Sequence, residues 1–153
     1  AHPGVVQRCA PEGHIVGNHS HRHSVFHNFL FAGPMRRELE ACQEEIGCVL
    51  GASPVWYLPP YGLMNHAVDG VARALGLRLA GWEVGSADPP GMLNSMKAPR
   101  SAARVLRRVK PGGIILIHDG GRDPAWVVET VTRILDGLAA RQLKVVPLDR
   151  LAG

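Results

Sequence analysis

The chain has 153 residues, 46% hydrophobic and 20% charged, with a mean hydropathy of +0.01, which suits one soluble globular domain with a sizeable core. No apolar run approaches the roughly 20 residues of a membrane span, and no signal-peptide pattern survives in the first residues given. It starts at Ala1 rather than Met, as a processed, clipped or partial chain would, and its net charge of +4 and pI near 9.4 come without a nucleic-acid recognition block.

In chain order, "GHIVGN" (residues 13–18) is short enough for a strand. "PMRRELEACQEEIG" predicts a helix with Pro34 at its first position and Met35, Leu39, Cys42 and Ile46 on one face. "PVWYL" (54–58) reads as a strand. "NHAVDGVARALG" reads as a helix capped by Asn65 and stopped by Gly76. "LRLAGWEV" (77–84) is the next strand. Arg100 to Lys110 alternates basic residues with Ala, Val and Leu and reads as an amphipathic helix with a solvated face. Such a face is compatible with a mild attraction to anionic wall polymers or lipid surfaces. "GGIILIHD" (112–119) carries a strand apolar on both sides, as in a buried parallel sheet. "DPAWVVETVTRILDGLAA" predicts a helix capped by Asp123, opened by Pro124 and striped by Val127, Val131, Ile134 and Leu138. "LKVVPL" (143–148) would be a last strand. This alternation predicts a parallel α/β sheet or barrel.

In such folds the functional groups gather at the carboxyl ends of strands, and the unusual polar residues of this chain fall there. "GNHSHRH" puts His19 and His23 four residues apart, so one helical turn would point both at a single ion. A histidine-rich solvated turn is the other reading. His21 would point elsewhere, and His2, His14, His27 and His66 stand alone as surface or structural histidines. His118-Asp119 ends the most apolar strand, where a histidine could work on a substrate while a carboxylate such as Asp88 orients it. Asp119 and Asp88 could equally cap turns. In "LPPYG", two prolines hold the Tyr61 N–H in one direction, as an oxyanion donor requires; an ordinary tight turn reads the same. The three cysteines make no metal motif, and Cys42 recurs with the apolar helix positions as a small core residue.

The order G-N-H-S-x-x-H, P-P-Y-G, S-x-D and I-x-L-I-H-D resembles the NodB-type polysaccharide deacetylases, the fourth carbohydrate esterase family. The resemblance spans nearly the whole chain, and "AHPGVVQRCAPEGHIVGNHS" looks like the family's helix and strand leading into the histidine motif. It implies an α/β fold, a distorted (β/α) barrel, with residues 1–153 forming a single domain incomplete at the N-terminus. It also implies zinc or another divalent transition metal held by His19 and His23, with the Ser20 hydroxyl bracing the loop. Tyr61 would supply a main-chain N–H to the oxyanion, and His118, partnered by Asp88, would be the general acid. Pro59, Pro60, Trp82 and Leu116 would surround the bound acetylated sugar.

The implied reaction is metal-assisted hydrolysis of N-acetyl groups on a chitin- or peptidoglycan-like polymer, releasing acetate; the alternative is a catalytically impaired relative that binds carbohydrate or metal. The family's T-F-D-D-G motif, source of its catalytic base and third ligand, is not in the sequence. Leu58 stands where the family has the arginine that orients that base, and Asp88-Pro89 where it has Asp-Trp. The partner implied is an acetylated polymer, with neither nucleic acid nor a transmembrane segment. Self-association or pairing with a missing N-terminal segment is also expected, as is, by resemblance alone, an extracytoplasmic location.

Overall fold

The computed structural model describes residues 2–24, 26, 31–86, 98–119 and 124–151. They form two compact units, Ala1–Gly81 and Trp82–Gly153.

The first unit opens with α1 (Pro3–Cys9), which has a proline in its first turn and buries none of its residues. The strand expected over 13–18 is reduced to a parallel bridge between Asn18 and Tyr57. α2 (Ala32–Leu50) starts two residues before Pro34 and buries Met35, Leu39 and Cys42, three of the four expected positions; Ile46 is half-buried. It stops at Gly51, whose φ of 72° lets its N–H turn back to the Gly47 carbonyl. β1 (Trp56–Tyr57) and β2 (Arg78–Leu79) pair in parallel, joined by α3 (His66–Ala74). The Asn65 side chain caps α3 by accepting the Val68 N–H at 2.9 Å, and Gly76 follows with a φ of 69°. Met35, Leu39, Tyr57, Val68, Val71, Ala72 and Leu77 close the core between the helices and β1.

The second unit repeats the plan. β3 (Val84–Gly85) and β4 (Ile115–Leu116) pair in parallel, joined by α4 (Ala98–Arg108) and followed by α5 (Pro124–Ala140). The single strand read over 77–84 is thus two strands in different sheets, since β2 pairs with β1 and β3 with β4. Residues 114–117 are half-buried rather than fully covered. The buried face of α5 is Trp126, Thr130, Ile134 and Leu138, so the expected stripe is turned at its start, where Trp126 has more apolar area to bury than Val127. Asp123, its expected cap, lies outside the described residues. Residues 143–147 form no strand, and 148–150 make one 3₁₀ turn.

Candidate functional site

In the first unit the histidine loop lies against β1. Asn18 donates its main-chain N–H to the Trp56 carbonyl at 2.8 Å and accepts the Leu58 N–H at 3.0 Å, which fixes the loop beside the strand end. The Asn18 side chain is buried, 1% exposed, and fully used. Its amide donates to the Leu39 carbonyl at 2.9 Å and to Gln43 Oε1 at 3.3 Å, while its Oδ1 accepts the Ser20 N–H at 2.9 Å. Gln43 in turn donates to the Pro54 carbonyl at 3.2 Å, tying α2 to the segment that enters β1. Ser20 Oγ accepts the His23 N–H at 3.1 Å, the brace that the resemblance implies.

The loop does not form a helical turn. Ser20 and His23 have φ of 64° and 50°, a left-handed conformation costing about 1–2 kcal/mol per non-glycine residue. The histidines converge nonetheless: the two Nε2 atoms are 3.1 Å apart and the ring centroids 4.8 Å apart. Two nitrogens on one tetrahedral ion, at bonds of about 2.0–2.1 Å, lie about 3.3 Å from each other, so the pair has the separation of a shared ion. His19 Nδ1 faces the Leu58 carbonyl at 2.5 Å. A carbonyl only accepts, so Nδ1 carries a proton, which in the neutral ring leaves the lone pair on Nε2, the tautomer a metal ligand needs. Both imidazoles therefore fit a divalent ion; among the described residues no third His, Cys, Asp or Glu joins them in a cluster. His21 points away, as expected, with its Nε2 3.0 Å from Glu45 Oε1.

The Pro-Pro-Tyr turn completes this side of the site. Pro59 and Pro60 are buried, so they act by fixing the chain rather than by presenting a surface. The turn closes with the Gly62 N–H on the Pro59 carbonyl and the Leu63 N–H on the Pro60 carbonyl, bonds that do not use the N–H of Tyr61. Tyr61 sits at φ 59° and is 47% exposed, its ring edge-on to His23 at 4.9 Å. Three of the four described non-glycine residues with positive φ are thus Ser20, His23 and Tyr61. Backbone strain of this kind persists only where surrounding bonds hold it.

Beneath the loop lies Cys42. Burial pushes its thiol upward in pKa, opposed by the His19 main-chain N–H beside its sulfur and assisted by Glu45 and Glu38. Tyr57, also buried, has its phenol held well above the usual range by burial and then by Cys42.

In the second unit His118 follows β4 with its ring half-buried, and Asp119 is exposed. Ser86 donates both its N–H, at 3.1 Å, and its hydroxyl, at 3.3 Å, to the Leu116 carbonyl, and its own carbonyl accepts the Ser101 hydroxyl. This fastens the ends of β3 and β4, two residues before His118. Leu116 is half-buried in β4. Trp82 is placed differently: it precedes β3, whereas His118 follows β4, which runs parallel to β3. Trp82 therefore stands at the opposite end of the strand pair and does not help to surround a group at His118. Asp88 lies outside the described residues.

Sequence reasoning missed Asn18, Gln43 and the Leu58 carbonyl. Only Asn18 left a signal, as a polar residue directly before His19.

A family model described as polysaccharide deacetylase matches residues 1–80. The chain belongs to the polysaccharide deacetylase family. Among curated members, the peptidoglycan-N-acetylmuramic acid deacetylase PdaA of Bacillus subtilis is 31% identical over 129 residues, covering 83% of this chain and 48% of that protein. The chain spans about half the length of the curated relatives it matches. A family 4 acetyl xylan esterase from Clostridium thermocellum, solved in complex with a cobalt ion, superimposes with a TM-score of 0.86 at 25% identity, over 98% of this chain and 69% of that one. A family 4 pseudoenzyme from Bacillus anthracis, at 22% identity, shares the fold with a TM-score of 0.84 over 99% of this chain and 51% of that one. The fold class is accordingly the (β/α) barrel type of this deacetylase family.

Proposed function

We propose that this deacetylase-family chain, read as one domain over residues 1–153, hydrolyses N-acetyl groups of an amino-sugar polymer with a divalent metal, zinc by preference, at His19 and His23. The observation that carries the reading is the 3.1 Å approach of the two Nε2 atoms, with the His19 tautomer set by the Leu58 carbonyl. When bound, the ion supplies Lewis-acid polarisation of the acetamide carbonyl. The Tyr61 N–H, which the bonds closing the proline turn do not use, would donate to that oxygen as negative charge develops on it. By the family resemblance His118, with Asp88 as its partner, would deliver a proton to the departing amine, and Leu116 would line the acetyl group. The relative that deacetylates peptidoglycan and the cobalt-bound esterase support substrate class and metal, respectively.

Calorimetric titration of zinc into the metal-stripped chain is the first test. Two imidazoles leave two tetrahedral positions to other ligands, so affinity is expected to be micromolar or weaker and to vanish in His19→Ala. Submicromolar binding that survives His19→Ala overturns the assignment. Acetate release from chitopentaose by the zinc-loaded chain is the second. Leu58, in place of the base-orienting arginine, favours the alternative of a catalytically impaired relative that keeps carbohydrate or metal binding. A missing general-base contribution lowers the rate by about 10²–10⁴. Slow release that falls further in His118→Ala supports the enzyme; zinc and oligosaccharide binding with no release supports the alternative.

A further inference from the structure

The charge of this chain is unevenly placed. Residues 1–81 carry six basic and six acidic side chains, and residues 82–153 carry eleven and seven, so the net charge of +4 belongs to the second unit. Within it α4 is the extreme case. Its buried side is Ala98, Ser101, Ala102 and Val105, continued by Val109. Arg100, Arg104, Arg107 and Arg108 recur at i, i+4, i+7 and i+8, away from that side; Arg100, Arg107 and Arg108 are exposed, and Arg104 is half-buried, its Nε shielded from solvent with no hydrogen-bond partner among the described residues. No acidic residue shares the helix. Arg141 adds a fifth charge at its carboxyl end, donating to the carbonyls of Leu106 and Val109.

Folding alone does not account for this arrangement. Elsewhere four of the five helical arginines are neutralised at i,i+4, Arg8 with Glu12, Arg36 with Glu40, Arg73 with Asp69 and Arg133 with Glu129; Arg37 of α2, with no acidic residue at that spacing, is the exception. Among the described residues none of the four α4 arginines has an ion pair, and Arg100/Arg104 and Arg104/Arg108 are like charges at that same spacing, which is unfavourable. The helix dipole favours Arg107 and Arg108 in the last turn, but it disfavours Arg100, the third residue of the helix.

We infer that the arginine face of α4 is a docking surface for a carboxylate-bearing acidic glycan. The planar guanidinium matches the two oxygens of a carboxylate, and four of them over nine residues form a row about 12 Å long. Other polyanions fit less well. α4 exposes no large apolar side chain that could enter a bilayer interface. It carries no aromatic ring for stacking on bases, and four cations are fewer than the 6–10 phosphate contacts of a typical duplex-binding protein. The choice of a glycan rests on the deacetylase reading above; the anionic character of the ligand does not.

The test is fluorescence anisotropy of a labelled polygalacturonate oligomer titrated with the full chain at about 50 mM salt. Binding is expected to weaken steeply with added salt, to be lost for the methyl-esterified oligomer, and to fall at least about tenfold in Arg100→Gln/Arg104→Gln/Arg107→Gln/Arg108→Gln. The melting temperature of that variant is expected to be unchanged or higher, since like charges have been removed; a purely structural role would lower it. Should the quadruple variant fold poorly, the pairs Arg100→Gln/Arg104→Gln and Arg107→Gln/Arg108→Gln are each expected to lose about threefold. Affinity within twofold of the parent in the variants overturns the inference. So does tighter binding to a 20-base-pair duplex or to vesicles of phosphatidylcholine and phosphatidylglycerol. His19→Ala is expected to keep its polygalacturonate affinity, so failure of the deacetylase reading and failure of this surface are seen separately.

Discussion

Asn18 holds the histidine loop with both ends of its amide, and its partner Ser20 is buried with it. Asn18→Ala would strand the Ser20 N–H, so a loss of about 1–3 kcal/mol is expected in urea denaturation. The same variant should bind zinc more weakly than the parent, because Ser20 and His23 would relax from their left-handed conformations. A stability loss with unchanged zinc affinity would mean the loop is held elsewhere. Tyr57 and Cys42 make a second expectation at this scale. Burial raises both pKa values, so the folded chain keeps protons that the unfolded chain releases from about pH 8.5 for the thiol and about pH 10 for the phenol. Their contribution to stability is complete below those values and is lost as pH rises beyond them. Melting temperature is thus expected to fall from about pH 9 upward, with a shallower fall in Cys42→Ala; a flat profile to pH 10.5 would contradict it. The sequence revealed His19 and His23 through their spacing, but in the wrong geometry. They meet through an irregular loop with two positive φ values, and no periodic rule encodes such a loop.

Helices were more legible than strands, for a reason visible in particular elements. α3 announced itself at both ends, by an Asn65 cap and by Gly76, and α2 by a proline and a 3.6-residue repeat. Those signals are local. The strands cover two residues each, and what divides "LRLAGWEV" between two sheets is long-range pairing, Tyr57 with Leu79 and Val84 with Ile115. Trp82 was misplaced for the same reason, since only the register shows which end of a strand it occupies. Close helix packing was equally hidden. At Gly137 of α5 an added Cβ would lie closer to the Leu106 side chain of α4 than van der Waals separation allows. Gly137→Ala gains about 1 kcal/mol of helix propensity but forces Leu106 aside, and overpacking of this kind costs about 1–3 kcal/mol. Net destabilisation is expected by thermal melting. In a Leu106→Ala background, where the space is open, the same substitution should stabilise; destabilisation in both would place the strain elsewhere.

For the molecule as a whole, the decisive surface is the edge next to β1. The segment 14–18 pairs with β1 only through Asn18, and among the described residues no strand lies on its other side. Ile15 on that segment is 38% exposed, and Val55, at the entrance to β1, is also exposed. An unpaired, β-branched edge presents main-chain N–H and C=O groups to any extended chain that approaches, and proteins ordinarily protect such edges with charge, proline or cover. None of those devices is present at Ile15-Val16-Gly17. Pairing through this edge is therefore expected, with another copy or with an added strand. Light scattering after size-exclusion chromatography should give a mass that rises with loading concentration above 16.5 kDa. Ile15→Lys should shift the distribution towards monomer while leaving zinc binding at His19 and His23 unchanged, because it puts a charge on the edge and touches neither imidazole. A monomer at every concentration, with the same hydrogen-exchange protection at residues 15–17 as in β1, would mean that the edge is covered from within the chain.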